Sequence, residues 1–234
     1  MAAGKHLAGV IFDLDGTLVD TVPMSLSIIN AMLAERGSPR RITYAAALPC
    51  ASFGGLALVS GLLGEDTEDA EADLVIFRER YVATRTPPES LYPGIAELLA
   101  GLDAADLKLA VCSNKPQHLC EKVLAELGIA HHFAAVVGST PALPPKPAPD
   151  MLDETLRQLG LSADHCILVG DSEVDIALAR TRAMDCLFVE YGYGDADDGV
   201  PASLRFADPD ALAQAILARV APPIGGHPII HSWG

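Results

Sequence analysis

The sequence predicts an α/β protein, a Rossmann-like doubly wound parallel sheet with an inserted all-helical cap, and three observations carry that prediction. An apolar run over Leu7, Val10, Ile11 and Phe12 stops at two carboxylates, Asp13 and Asp15, separated by one residue. A run apolar on successive residues reads as a strand buried on both faces, as parallel sheets require. From Ile95 to Val189, helical and strand patterns alternate, which implies right-handed crossovers with helices on both faces of the sheet. Between about Asp20 and Glu89 no strand alternation occurs, so this interval reads as helical. The expected organisation is a discontinuous core of residues 1–19 and 90–222, a helical cap of residues 20–89 and a tail of residues 223–234.

Taken in order, the opening strand is followed by Gly16, which lets the backbone turn, and by Asp20-Thr21-Val22-Pro23, a helix start with a capping residue and a proline in the first turn. Val22, Leu26, Ile29 and Leu33 repeat at helical spacing until Gly37. Ala51 to Gly55 reads as a small-residue loop, and acids at Asp66, Glu68 and Asp69 open a helix carrying Leu74, Phe77 and Tyr81. Pro87-Pro88 and Tyr92-Pro93-Gly94 mark the return to the core. There Ile95 to Leu102 is a helix, Leu107 to Cys112 a strand, and Leu119 to Leu127 a helix ended by Gly128. Ala134 to Val137, Cys166 to Val169 and Cys186 to Val189 are further strands; Met151 to Leu159, Ile176 to Ala179 and Ala211 to Val220 are helical.

The chain of 234 residues is 50% hydrophobic and 20% charged, enough apolar material for a large core. Its 31 Asp and Glu against 16 Lys and Arg give a formal charge of -15, a field that opposes nonspecific binding to nucleic acid or anionic membranes. No apolar run reaches the length of a membrane span, and the first nine residues lack a signal-like core, so a soluble cytoplasmic protein is expected. The five cysteines are scattered without metal spacing, and the odd count argues against a disulfide framework. None of the seven histidines has a metal-ligand spacing on a convincing scaffold, so each reads as structural or solvent-facing. Tyr191-Gly192-Tyr193-Gly194 reads as a turn or as a cleft wall, and Asp195, Asp197 and Asp198 as a solvated acidic loop.

Chemistry concentrates where strands end. In open α/β sheets ligands bind at the carboxyl edge, where Asp13 and Asp15 lie. Asp-x-Asp-Gly is also compatible with a surface turn. It fails as a calcium loop, because positions five, six and twelve counted from Asp13 hold Thr17, Leu18 and Met24. The next strand ends in Ser113-Asn114-Lys115, an anion cradle or a helix cap. Another ends in Gly170-Asp171, with Asp175 four residues on and on the same face if the helix has begun. Lys146 stands among Pro144, Pro145, Pro147 and Pro149, on a stiff arm that reads alternatively as a polyproline ligand. Convergence of Asp13, Asp15, Asp171 and Asp175 requires a compensating cation, and all-oxygen ligation selects a hard ion, Mg²⁺. A metal, a lysine and a hydroxyl around a nucleophilic carboxylate are the parts of a phosphoryl-transfer site.

These four stations, Asp13-Leu14-Asp15-Gly16-Thr17, Ser113-Asn114-Lys115, Lys146-Pro147-Ala148-Pro149 and Gly170-Asp171 with Asp175, resemble in order the motifs of the haloacid dehalogenase superfamily, most closely its phosphoglycolate phosphatase-like branch. The resemblance implies that Asp13 is the nucleophile and forms an aspartyl-phosphate. Asp15 would be general acid and base, supported by Thr17. It implies Mg²⁺ held by Asp13, the Asp15 carbonyl, Asp171 and Asp175, and phosphate bound by Ser113, Asn114 and Lys146. The implied substrate is a small phosphorylated metabolite, with phosphoglycolate as first choice. Ala51-Ser52-Phe53-Gly54-Gly55-Leu56 departs from the more glycine-rich cap loop with a following basic residue seen in many of these relatives. Sugar and amino-sugar phosphates, an intramolecular phosphomutase and a noncatalytic metabolite-binding protein are the alternatives.

Overall fold

The computed structural model describes residues 6–51, 54–195 and 199–220. Strand β1 (Gly9–Phe12), buried throughout, lies mid-sheet among β2 (Lys108–Pro116), β3 (Phe133–Ser139), β4 (Cys166–Gly170), β5 (Cys186–Val189) and β6 (Arg205–Phe206). Their order is β3-β2-β1-β4-β5-β6, and every pair is parallel. Phe12 is level with Val111 on one side and Val169 on the other. The residues just beyond that level, Asp13 after β1, Ser113 in the last part of β2 and Asp171 after β4, therefore gather at one edge, where the strand order reverses.

Successive strand residues face opposite sides. Val10, Phe12, Leu109, Val111, Ile167 and Val169 join one apolar cluster; Ile11, Ala110, Cys112, Cys166 and Leu168 join the other. Helices α5 (Ile95–Ala104), α6 (Gln117–Glu126) and α9 (Pro209–Leu217) cover the first face, and α7 (Asp150–Leu159) and α8 (Glu173–Arg180) the second. Cys112, Cys120, Cys166 and Cys186 are buried free thiols. No helix among the described residues is long and apolar enough to cross a membrane.

The interval between β1 and β2 is helical: α1 (Val22–Glu35), α2 (Tyr44–Ala51), α3 (Gly55–Leu63) and α4 (Ala70–Ala83). Asp69 caps α4 by accepting from the Glu71 and Ala72 N–H groups, both at 3.0 Å. Helices α2 and α3 have no counterpart in the sequence reading, because Pro49, Gly54, Gly55 and Gly61 interrupt the periodicity. Arginines hold this unit together: Arg36 pairs with Asp73, and Arg40 reaches Asp66 and donates to the Leu62 and Leu63 carbonyls at the end of α3. Entering and returning segments run side by side, joined by Asp20 N–H to the Ser90 carbonyl at 2.7 Å and Tyr92 N–H to the Leu18 carbonyl at 3.2 Å.

Other differences are local. Strand β2 continues to Pro116, through the polar residues read as following it, and the short edge strand β6 carries too little pattern to be found. Asp171 precedes α8, which starts at Glu173, so Asp171 and Asp175 do not share a helical face. Thr21 precedes α1 without a side-chain capping bond. Ser52 and Phe53 of the glycine-containing loop, Asp197, Asp198 and the tail with His227 and His231 lie outside the described residues.

Candidate active site

The site begins with a tight turn. After β1 the Leu18 N–H returns to the Leu14 carbonyl at 2.9 Å and the Gly16 N–H to the Val19 carbonyl at 2.8 Å. Gly16 has φ +86°, and a Cβ there would stand 2.2 Å from Asp171 Oδ2. Only glycine fits that backbone and that contact. The turn places Asp13 and Asp15 in one cleft with Ser113, Asn114 and Lys146.

Asp13 accepts from the Leu14 N–H at 2.6 Å and faces the Lys146 ammonium at 3.0 Å. Lys146, 5% exposed, also donates to Asp175 at 2.7 Å. Its backbone is clamped by Asn114, whose amide oxygen accepts from the Lys146 N–H at 2.7 Å and whose amide nitrogen donates to the Lys146 carbonyl at 3.2 Å. Asn114, expected at the phosphate, thus has its side chain committed to positioning Lys146. Asp175 completes a capping box with Ser172 at the start of α8. Asp171 accepts from the Thr17 hydroxyl at 2.9 Å and the Tyr193 N–H at 2.8 Å.

Two expectations about Asp15 change. Thr17 was assigned to support it, but the Thr17 hydroxyl donates to Asp171. Asp15 is held by the Thr21 hydroxyl at 2.5 Å and by the Lys115 ammonium at 2.8 and 3.1 Å. Thr21 thereby leaves its N-cap duty undone. Lys115 also lies 4.6 Å from the centre of the Tyr81 ring of α4, so the insert reaches into this network. The carboxylate of Asp15 is outside the cluster formed by Asp13, Asp171 and Asp175, whose ligand atoms all lie within 4.8 Å of one another.

Burial pushes Asp171 up to about 8, reinforced by Asp175 and Asp13. Burial likewise raises Asp13 to about 6, against the pull of Lys146. Burial lowers the affinity of Lys146 for its proton, but Asp13 and Asp175 outweigh it and hold the ammonium charged. Three carboxylates against one ammonium leave uncompensated negative charge in a nearly dry pocket. An oxygen-only donor set of this kind fits a hard divalent cation.

The loop after β5 forms a roof over the cluster. Cβ atoms added at Gly192 and Gly194 would stand 2.2 Å from Asp171 Cβ and 2.5 Å from the Asp171 carbonyl. The Tyr191 hydroxyl donates to the Thr17 carbonyl at 3.1 Å, and the Tyr193 hydroxyl accepts from the Thr21 N–H at 3.0 Å. Alternation of tyrosine and glycine at a strand's carboxyl end was the available signal. Lys115, Thr21 and Tyr81 carried none, since each also reads as an ordinary cap or core residue. His132 pairs with Asp103 and His165 meets Ser162, both away from the cleft.

Comparison with known proteins agrees with this arrangement. Residues 10–189 match the haloacid dehalogenase-like hydrolase family. A phosphoglycolate phosphatase of Xanthomonas campestris pv. campestris is 35% identical over 190 residues, 81% of this chain and 86% of its own. A plasmid phosphoglycolate phosphatase of Cupriavidus necator is 34% identical over 225 residues, 89% and 90% of the two chains. The crystal structure of a predicted phosphoglycolate phosphatase from Haemophilus somnus superposes with a TM-score of 0.76 at 26% identity, over 89% of this chain and 97% of that one. With the strand-end carboxylates, the buried lysine and the acidic cluster in one parallel-sheet edge, the match over 10–189 means that this chain belongs to the haloacid dehalogenase-like hydrolases, as a phosphatase of their phosphoglycolate phosphatase-like branch.

Proposed function

We propose that the protein is a Mg²⁺-dependent phosphomonoester hydrolase that works through an aspartyl-phosphate on Asp13. The observation that carries this reading is the separation of duties between two neighbouring carboxylates: Asp13 faces Lys146 and the acidic cluster, whereas Asp15 faces Lys115 and Thr21. Asp13, fixed by the Leu14 N–H and Lys146, attacks phosphorus, and the ester P–O bond breaks. Asp15 gives its proton to the leaving alkoxide, then takes one from the water that attacks the aspartyl-phosphate, releasing inorganic phosphate and restoring Asp13. Ser113 and the Lys146 ammonium receive the phosphoryl oxygens, and Asn114 holds Lys146 in place. Asp13, Asp171 and Asp175 would hold Mg²⁺, with the Asp15 carbonyl added by family resemblance, and bound metal supplies charge neutralisation for the transferring group.

The reaction belongs to the core of residues 1–19 and 90–222, and the insert of residues 20–89 acts as a cap that excludes water and meets the leaving group. The substrate is a small phosphorylated metabolite, and phosphoglycolate is the first candidate, supported by the names of relatives 32–35% identical. The cleft has a cavity volume of about 80 Å³, which suits a small leaving group; a sugar or amino-sugar phosphate is the second candidate. The acidic chain and the absence of an apolar spanning helix among the described residues accord with work in the cytoplasm. Phosphate release with Mg²⁺, across glycolate, hexose, amino-sugar and nucleoside monophosphates, tests the reading. Chelation should abolish turnover, and Asp13→Asn should lower it by about 10⁴-fold or more. Equal, chelator-resistant activity in both proteins would overturn it.

A further inference from the structure

Asp20 stands where the chain leaves the core for the insert, and its carboxylate is used three times. It accepts from the Val22 N–H at 3.1 Å, from the Tyr44 hydroxyl of α2 at 3.0 Å and from the Tyr193 hydroxyl of the loop after β5 at 3.0 Å. A phenol carries one proton. With that proton given to Asp20, the Tyr193 oxygen turns a lone pair to the Thr21 N–H, also at 3.0 Å. The other end of the same residue, its backbone N–H, donates to Asp171 at 2.8 Å. Tyr193 thus spans from the acidic cluster to the root of α1, on a backbone that Gly192 and Gly194 allow to press against Asp171. Its hydroxyl reaches the reaction through Thr21, whose own hydroxyl donates to Asp15 at 2.5 Å.

We propose that Tyr193, oriented by Asp20, is a positioning residue for Asp15: its hydroxyl fixes the Thr21 main chain and so aims the Asp15 carboxyl at the leaving-group oxygen. This inference rests on the phosphatase reading, which makes Asp15 the proton donor. Two groups hold that carboxyl. The Lys115 ammonium bonds both of its oxygens, at 2.8 and 3.1 Å, from a flexible four-carbon stem, so it supplies charge without fixing direction. The Thr21 hydroxyl bonds Oδ1 alone and carries the direction. A β-branched side chain is stiff about its first torsion, so placing the Thr21 main chain places its hydroxyl. Thr21 makes no side-chain capping bond at α1, and its N–H is held by Tyr193 instead. During the reaction the proton passes from Asp15 to the ester oxygen as the P–O bond breaks and its electron pair stays on that oxygen; Tyr193 gives and takes no proton. A leaving group that needs the proton therefore depends on Tyr193, and one that departs as a stable anion does not.

The test compares kcat/KM for p-nitrophenyl phosphate, whose phenolate leaves without a proton, and for the alkyl phosphate turned over fastest, whose alkoxide needs one. This ratio covers the steps up to formation of the aspartyl-phosphate, before water attacks. Tyr193→Phe keeps the ring and the N–H on Asp171 and removes the hydroxyl alone. It should lower kcat/KM for the alkyl ester by about 10- to 100-fold, a share of the roughly 10²- to 10⁴-fold that a general acid contributes. The loss for p-nitrophenyl phosphate should be about 10-fold smaller, and the Mg²⁺ concentration for half-activity should stay within about 2-fold. Asp20→Ala should show the same dependence on the leaving group, and the double variant should lose no more than about 2-fold beyond the larger single loss, because both changes break one bond. Equal losses on the two esters, or additive losses in the double variant, would overturn the assignment while leaving the phosphatase reading intact. Wild type inactive on both kinds of ester, with or without Mg²⁺, would remove both.

Discussion

Gly192→Ala isolates the contact between the loop after β5 and the acidic cluster. Gly192 has no left-handed φ, so its backbone accepts alanine, and the obstacle is packing alone. The new methyl would stand 2.2 Å from Asp171 Cβ, 2.7 Å from Asp171 Cγ and 2.5 Å from the Gly16 carbonyl oxygen. Relief to van der Waals contact requires a displacement of about 1.5 Å, shared between the loop and Asp171, as carbon contacts optimise near 3.5–4.0 Å. Asp171 cannot retreat freely, because Thr17 and the Tyr193 N–H hold its carboxylate, and Gly16 is already pressed against its other side. The shift therefore passes into the turn that carries Asp13 and Asp15. Overpacking of this kind costs about 1–3 kcal/mol of stability. A displacement of about 1 Å at reacting groups costs on the order of 10²-fold in rate. Steady-state phosphate release at saturating Mg²⁺ and urea unfolding read the two effects. Gly101→Ala in α5, where a Cβ meets nothing within 4 Å, is the control and should keep full activity with a gain of about 0.5–1 kcal/mol. A Gly192→Ala protein with wild-type turnover and stability would refute the packing of this loop against the cluster.

The hydroxyl assignments predict separable kinetics. Thr17→Val should raise the Mg²⁺ concentration needed for half-activity by about 10-fold or more while sparing kcat at saturation, because it removes a donor to Asp171; Thr21→Val should leave the Mg²⁺ requirement and lower kcat. A Mg²⁺ titration of both variants checks this, and the reverse pattern would return Thr17 to Asp15. Glu126 anchors the returning segment: its carboxylate accepts from the Thr86 N–H at 2.9 Å, the Thr86 hydroxyl at 2.7 Å and Lys122 at 2.6 Å. Burial pushes its pKa up, but Lys122 and Thr86 outweigh that and hold it at about 2. Since the folded value lies below the unfolded one, the stabilisation is complete above about pH 4.5 and is lost as pH falls through about 2. With the side chain 29% exposed and partly screened, it contributes about 1–2 kcal/mol. Glu126→Gln should cost that much in urea unfolding at pH 7 and progressively less between pH 4 and 2, whereas a pH-independent difference would assign the effect to the Thr86 hydrogen bonds alone.

The parallel sheet was legible because its strands are short apolar runs bounded by turn residues, and Cys186–Val189 emerges with the bounds the pattern suggests. The residues meeting in the cleft were legible for a related reason. Asp13 and Asp171 each follow a strand and Ser113 lies in the last part of β2, and parallel register brings strand ends to one edge whatever lies between them. What escaped was the pairing of side chains. Thr17 and Thr21 are both near Asp15 in sequence, and nothing in the spacing tells which hydroxyl turns toward Asp171. Helices α2 and α3 escaped because their stability comes from packing against neighbouring helices, which overrides the breakers Pro49 and Gly61.

The arrangement also qualifies a simple division in which the sheet edge performs the reaction and the insert selects the substrate. Asp13 and Asp15 are separated by the fully buried Leu14, which anchors the turn in the core. From that anchor Asp13, the proposed nucleophile, enters a network built from the sheet edge, Lys146 and Asp175. Asp15, the proposed acid, enters one that includes Thr21, at the root of α1, and Lys115, whose ammonium lies over the Tyr81 ring of α4. In the proposed reaction the residue that protonates the leaving group is therefore braced by the insert, whose helix α4 also lines the cleft. Any displacement of α4 relative to the sheet alters the seat of Lys115 on Tyr81. In the proposed reaction proton delivery by Asp15 therefore depends on the placement of α4, and Tyr81→Ala, which removes the ring beneath Lys115, should lower kcat more than it raises KM.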